Sequence, residues 1–180
     1  MQQWLNAEYL QKKNMEKLKK KFLNNSPFPH LELKDFFTEE KIISLIKALE
    51  REEFVEKEAD LFKFMQTQDF ASSSEKELQD LRTFLSNKEF LSFVQEITNI
   101  PLKEDSIDIS ASLYQNTDYL LPHDDQLQGR AIAFMLYLSN LEETDGGKLI
   151  LYKTKGSTPQ EEEKVILPKR NSFVFFKVSE

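Results

Sequence analysis

The chain has 180 residues, of which 39% are hydrophobic and 31% charged, so it has the size and composition of one ordinary globular domain and too much apolar content for a disordered segment. Its 31 acidic and 24 basic side chains leave a net charge of −7, which argues against a general nucleic-acid binder, because that task begins with a basic surface. The absence of cysteine removes disulfides, thiolate nucleophiles and thiolate zinc sites together, leaving His30 and His123 as the only imidazoles for metal or proton chemistry.

From Gln2 to Phe22 the apolar positions Trp4, Leu5, Met15, Leu18 and Phe22 are widely spaced, and six lysines lie between Lys12 and Lys21, which predicts a solvated helix. A lysine run of this kind is ordinarily a wet helical face, with a nuclear-import signal or an RNA-touching arm as the sharper readings. Ser26 to His30 carries two prolines and is predicted as a linker. Thr38 stands where an N-cap belongs, Glu39 and Glu40 face the positive end of the dipole, and Ile42, Ile43, Leu45, Ile46 and Leu49 recur at helical spacing to about Glu53. Ser72 with Glu75, and Ser86 with Glu89, each fit a reciprocal capping box before a striped helix: Leu78, Leu81, Phe84 and Leu85 in one, Phe90, Leu91, Val94 and Ile97 in the other.

Asn99-Ile100-Pro101 ends the helical part, and the period then changes. Ile107 to Tyr114, Ala131 to Leu138, Leu149 to Tyr152, Val165 to Leu167 and Phe173 to Val178 read as strands, with a polar loop from Lys153 to Lys164 whose turn residues are Gly156, Ser157 and Pro159. Short strands with hairpin-like links imply an antiparallel sandwich, jelly roll or barrel. No window approaches the roughly 20 apolar residues of a membrane span. The N-terminus is too charged for a secretory signal, so an intracellular protein without a membrane partner is expected.

The chemistry concentrates between Tyr119 and Arg130. On an extended backbone His123 and Asp125 project to one face while Asp124 points away, which presents an imidazole and a carboxylate together. These are two members of the two-histidine, one-carboxylate set that holds non-haem Fe(II) with open positions. A surface histidine at a turn is the bland reading of the same triplet. In the next strand Ile132, Phe134, Leu136 and Leu138 share one face, and the smaller Ala131 and Ala133 with Met135 and Tyr137 share the other. That second face serves either an open pocket with a phenol at its end or tight sheet-on-sheet packing.

The run Pro122-His-Asp-Asp-Gln-Leu-Gln-Gly-Arg-Ala-Ile-Ala-Phe-Met-Leu-Tyr-Leu138, followed by Gly146 to Tyr152 and by Asn171 to Ser179, closely resembles the Fe(II)- and 2-oxoglutarate-dependent prolyl hydroxylases. Within them it is similar to the subgroup that 3-hydroxylates a proline of a small-ribosomal-subunit protein, and His30 to Phe37 and Ala59 to Gln66 extend the likeness upstream. The resemblance implies an α+β fold: a double-stranded β-helix, or jelly roll, over 101–180, a helical support over 31–100, and an N-terminal helix and linker over 1–30. It implies Fe(II) as cofactor, 2-oxoglutarate and O2 as cosubstrates, ascorbate as reductant, His123 and Asp125 as metal ligands, and Tyr137 as a 2-oxoglutarate contact. Tyr114 is a further candidate for the same pocket. The implied partner is a basic ribosomal protein in cytoplasm or nucleus, with no direct contact to nucleic acid. In the family a second iron-binding histidine and a 2-oxoglutarate-binding arginine follow the segment matching Phe173 to Ser179. Their absence here implies a core that is C-terminally incomplete, with impaired activity, and His30 is expected to be structural rather than a substitute ligand. A non-catalytic interaction module is the alternative function, and a cupin-like metal isomerase or hydrolase a third.

Overall fold

The alternation of Ser172 to Lys177 decides where the rest of the chain packs. In the computed structural model, which describes residues 1–156 and 158–178, this segment is the central strand β9 of a sheet ordered β1-β9-β6, with β1 at His30–Leu33 and β6 at Ile132–Tyr137, all antiparallel. Register places Leu31, Phe175 and Phe134 in one row and Leu33, Phe173 and Leu136 two residues along, all on one face. The intervening row, Glu32, Val174 and Met135, points the other way, as does Tyr137 opposite Ser172. Ser157, expected in a turn, and Ser179, at the end of the last motif, lie outside the described residues.

The first face receives the helices. Buried Met15 and Phe22 of α1 (Lys12–Asn24), Ile42 and Leu45 of α2 (Glu39–Leu49), Leu78, Leu81, Phe84 and Leu85 of α3 (Lys76–Ser86), and Phe90, Phe93, Val94 and Ile97 of α4 (Lys88–Thr98) join Phe173 and Phe175 in one core cluster. The opposite face carries a smaller cluster in which Val174, Met135 and Tyr137 meet Leu149, Leu151 and Ile166 of the hairpin β7 (Leu149–Lys155) and β8 (Thr158–Ile166). The predicted two-faced pattern of β6 is thus real, and its small face packs against that hairpin.

Several local expectations are corrected. The N-terminal helix is broken: a short 3₁₀ turn, Ala7–Leu10, precedes α1, with Gln11 extended between them. Thr38 does precede α2, but its hydroxyl is buried without a partner, and the helix is anchored instead by Glu39, which takes two hydrogen bonds from Arg170 at 2.6 and 3.0 Å. Neither serine capping box forms. Ser73 accepts from the amide of Glu75, the residue that precedes α3, and α3 has no side-chain cap, whereas Asn87 caps α4 by accepting from the Phe90 amide at 2.8 Å.

The helical reading of residues up to 100 also missed a hairpin, β2 (Val55–Ala59) and β3 (Phe62–Gln66), whose sheet is completed by β4 (Ser112–Leu113) and β5 (Tyr119–Leu120). The strand expected from Ile107 shrinks to β4, since the side chains of Asp69 and Thr67 take the amides of Ile109 and Ala111 that a ladder would use. Conversely the polar loop from Lys153 is hairpin, clamped by Lys153 on Glu163 at 2.7 Å. Its β8 residues are exposed from Thr158 to Val165, so no apolar alternation marked it.

The architecture is mixed helix and sheet, with three antiparallel sheets among the described residues. At the start of β9 Asn171 adopts φ 64° and is buried. Its side chain donates to the Phe37 carbonyl at 2.8 Å and accepts from the Phe37 amide at 2.9 Å, which ties the helical layer to the sheet.

Candidate metal centre

The site begins at the hairpin. After β5, which pairs with Phe62 and Lys63, Leu121 donates its amide to the Leu61 carbonyl at 2.8 Å, and Pro122 then leads out of the sheet. The extended backbone expected at His123 to Asp125 is absent: these residues lie outside any strand, and Asp125 has φ 55°. They converge for a different reason. The Asp124 carboxylate accepts the Gln126 amide at 3.1 Å, an Asx turn that bends the chain and returns Asp125 towards the imidazole. His123 Nε2 ends 3.4 Å from Asp125 Oδ1.

Two neighbours fix this pair. The Leu121 carbonyl lies 2.9 Å from His123 Nδ1, which holds the ring and, with the proton on Nδ1, turns the Nε2 lone pair towards Asp125. Arg130, which the sequence reading did not single out, places Nη1 3.3 Å from Asp125 Oδ1 and donates from the same nitrogen to the Asp125 carbonyl at 3.2 Å. Only its position five residues beyond Asp125, in the same motif, pointed to it. The hydrogen bond to Asp125 raises the His123 pKa above the ordinary 6.5 against the opposing effect of burial.

The donor set suits a divalent cation. An imidazole nitrogen and a carboxylate oxygen 3.4 Å apart are donors of the kind that would hold one divalent ion. Among the described residues no group of three His, Asp or Glu side chains is gathered closely enough to hold a metal.

Tyr137 lies on the hairpin-facing side of β6. Burial, followed by the Tyr114 phenol and the Glu32 carboxylate, pushes its pKa well up, so it remains a protonated donor at every physiological pH. The Tyr114 ring sits 5.1 Å from that of Phe64. Among the described residues no hydrogen bond joins Tyr137 to His123 or Asp125.

His30 is elsewhere and structural. It is 3% exposed in β1, with Nδ1 2.8 Å from the Phe28 carbonyl. Burial, aided by Lys164 and Lys21, holds its pKa below the ordinary 6.5. The unfolded chain therefore takes up the proton first, and the contribution of His30 is complete above about pH 6.5 and is lost as pH falls towards its folded pKa. Urea unfolding from pH 8 to pH 5 is expected to show falling stability, with a shallower fall for His30→Gln. Identical slopes would remove His30 as a cause.

Residues 109–180 match the family profile described as 2OG-Fe(II) oxygenase superfamily, and residues 1–61 match one described as oxoglutarate and iron-dependent oxygenase degradation C-term. Prolyl 3-hydroxylase OGFOD1 of Xenopus laevis is 38% identical over 160 residues, which cover 87% of this chain and 31% of that protein. Its namesake in Mus musculus is 38% identical over 160 residues, 87% of this chain and 29% of its own length. Prolyl 3,4-dihydroxylase OGFOD1 of Ostreococcus tauri is 32% identical over 173 residues, 87% of this chain and 34% of its own. The chain thus spans about a third of the length of these relatives. With His123 and Asp125 inside the matched segment, the chain belongs to the 2OG-Fe(II) oxygenase superfamily, whose chemistry uses Fe(II), 2-oxoglutarate and O2.

Proposed function

We propose that this chain carries the metal-binding segment of a 2-oxoglutarate-dependent prolyl hydroxylase whose substrate is a basic protein of the small ribosomal subunit. The observation that supports the reading most directly is the 3.4 Å approach of His123 Nε2 to Asp125 Oδ1, with the imidazole fixed by Leu121, inside the segment that matches the superfamily. Relatives named prolyl 3-hydroxylase support the prolyl substrate. The double-stranded β-helix belongs to the same reading, with the β1-β9-β6 sheet and the β7-β8 hairpin as its facing parts.

Fe(II) with 2-oxoglutarate and O2 supplies the oxidising power for C–H hydroxylation, and ascorbate keeps the metal reduced. The side chains supply the geometry. His123 and Asp125 would hold the ion, Arg130 orients the Asp125 carboxylate, and the protonated Tyr137 phenol would be available to donate to a carboxylate of 2-oxoglutarate. Beyond the first 25 residues the chain carries a net −11, which attracts a basic polypeptide and guides its approach.

The test is carried out on the natural protein containing this chain. Succinate release and hydroxyproline formation are measured together on a basic, proline-containing peptide. Equimolar products, abolished by Asp125→Ala, are expected. Peptide binding with no succinate would replace the enzyme by an interaction module.

A further inference from the structure

We propose that the outer face of α1 docks the phosphate backbone of RNA, with Lys13, Lys17, Lys20 and Lys21 as the contacting cations. The helix is locked in rotation by its inner face, where Met15 is 8% and Phe22 1% exposed against the core. With that side fixed, positions 13, 17, 20 and 21 fall on one contiguous outer arc at three- and four-residue spacing, and all four side chains are exposed. Each four-residue step advances the charge by about 6 Å along the axis, so the lysines form a row rather than a point.

The row is unsatisfied within the molecule. Among the described residues no ion pair involves any of the six lysines of α1. Six lysines against Glu8 and Glu16 make the first 25 residues +4, and the remainder −11. The overall charge that argues against nucleic-acid binding by the whole surface therefore hides a segregated basic face.

A phosphate chain suits this face better than a membrane does. A helix that lies in a lipid interface inserts its apolar side, and here that side is occupied by the core, leaving Leu23 as the one large apolar side chain exposed on α1. The choice of RNA rests on the ribosomal substrate proposed above, whereas the affinity for phosphate rests on the lysines alone.

The test is fluorescence anisotropy of a labelled 20-nucleotide single-stranded RNA with the chain at 50 mM salt, beside DNA of the same length and vesicles containing phosphatidylserine. Four phosphate contacts predict a log–log salt slope of about −3 for a single strand. The variant K13E/K17E/K20E/K21E is expected to lose at least tenfold in affinity and most of the slope. The matching Lys→Gln variant gives a smaller loss, and circular dichroism checks that the helix persists. Mn(II) binding at His123 and Asp125, measured on the same samples, stays unchanged, which separates this surface from the metal centre. RNA affinity unaltered by charge reversal, tighter binding of DNA than RNA, or binding to vesicles without binding to RNA would each overturn the proposal.

Discussion

Replacing Phe173 by alanine is expected to lower the free energy of unfolding by about 3–5 kcal/mol, the range for removing a fully buried phenyl ring. Phe173 is 2% exposed at the junction of the helical layer and the β1-β9-β6 sheet. Its ring stacks on Phe36 at 4.9 Å and lies within 6.2 Å of Phe37, Phe90, Phe134 and Phe175. These neighbours come from the chain before α2, from α4, from β6 and from β9 itself, so they have no common direction in which to collapse and the cavity stays open. A domain's whole stability is roughly 5–15 kcal/mol, which makes this one ring a large share of it. Phe62→Ala is the control, since Phe62 is only half-buried on the β2-β3 hairpin and lies outside both core clusters. Urea titration of the two variants decides: a loss below about 1 kcal/mol for Phe173→Ala, or one no greater than that of Phe62→Ala, would place the centre of the core elsewhere.

The sequence made the core more legible than the connections. The period-two pattern of residues 131–138 and 173–178 was visible because each face meets a different layer, the helices on one side and the β7-β8 hairpin on the other. The β2-β3 hairpin, and the polar arms of β7-β8 between Lys153 and Lys164 that were read as loop, were missed because β2 is exposed along its whole length and β8 along nearly all of it, so burial imposes no alternation for a reader to find. The start of α2 at Thr38 was legible, whereas α3 and α4 begin later than their serine boxes implied, α4 because Asn87 rather than Ser86 reaches the free amide. His123 and Asp125 do come together, but not for the reason expected. Strand geometry was expected to align His123 with Asp125, whereas the Asp124 turn and the left-handed Asp125 do so. Arg130 stayed hidden because a cation that braces a ligand carries no spacing rule of its own.

Mn(II), used in place of Fe(II), is expected to bind the chain weakly through His123 and Asp125 and to lose at least about tenfold in affinity in His123→Ala, because two protein ligands leave little to share once one is removed. Asp124→Asn is expected to bind like the unmodified chain, since asparagine keeps the oxygen that accepts the Gln126 amide and preserves the turn. Arg130→Met tests which of two opposed effects is larger. Its guanidinium competes with a metal for Asp125 Oδ1 yet also holds that carboxylate in place through the Asp125 carbonyl. Both side chains are about a third exposed, at 30% and 27%, and the 3.3 Å contact is long. A partly solvated pair of this kind is worth at most about 1 kcal/mol, so the change in Mn(II) affinity stays within roughly fivefold in either direction. Electron paramagnetic resonance of free Mn(II) during titration measures all four proteins on one scale. Equal affinities for the unmodified chain and His123→Ala would remove the imidazole from the site, and a loss in Arg130→Met as large as that in His123→Ala would make the arginine the principal determinant of the carboxylate's position.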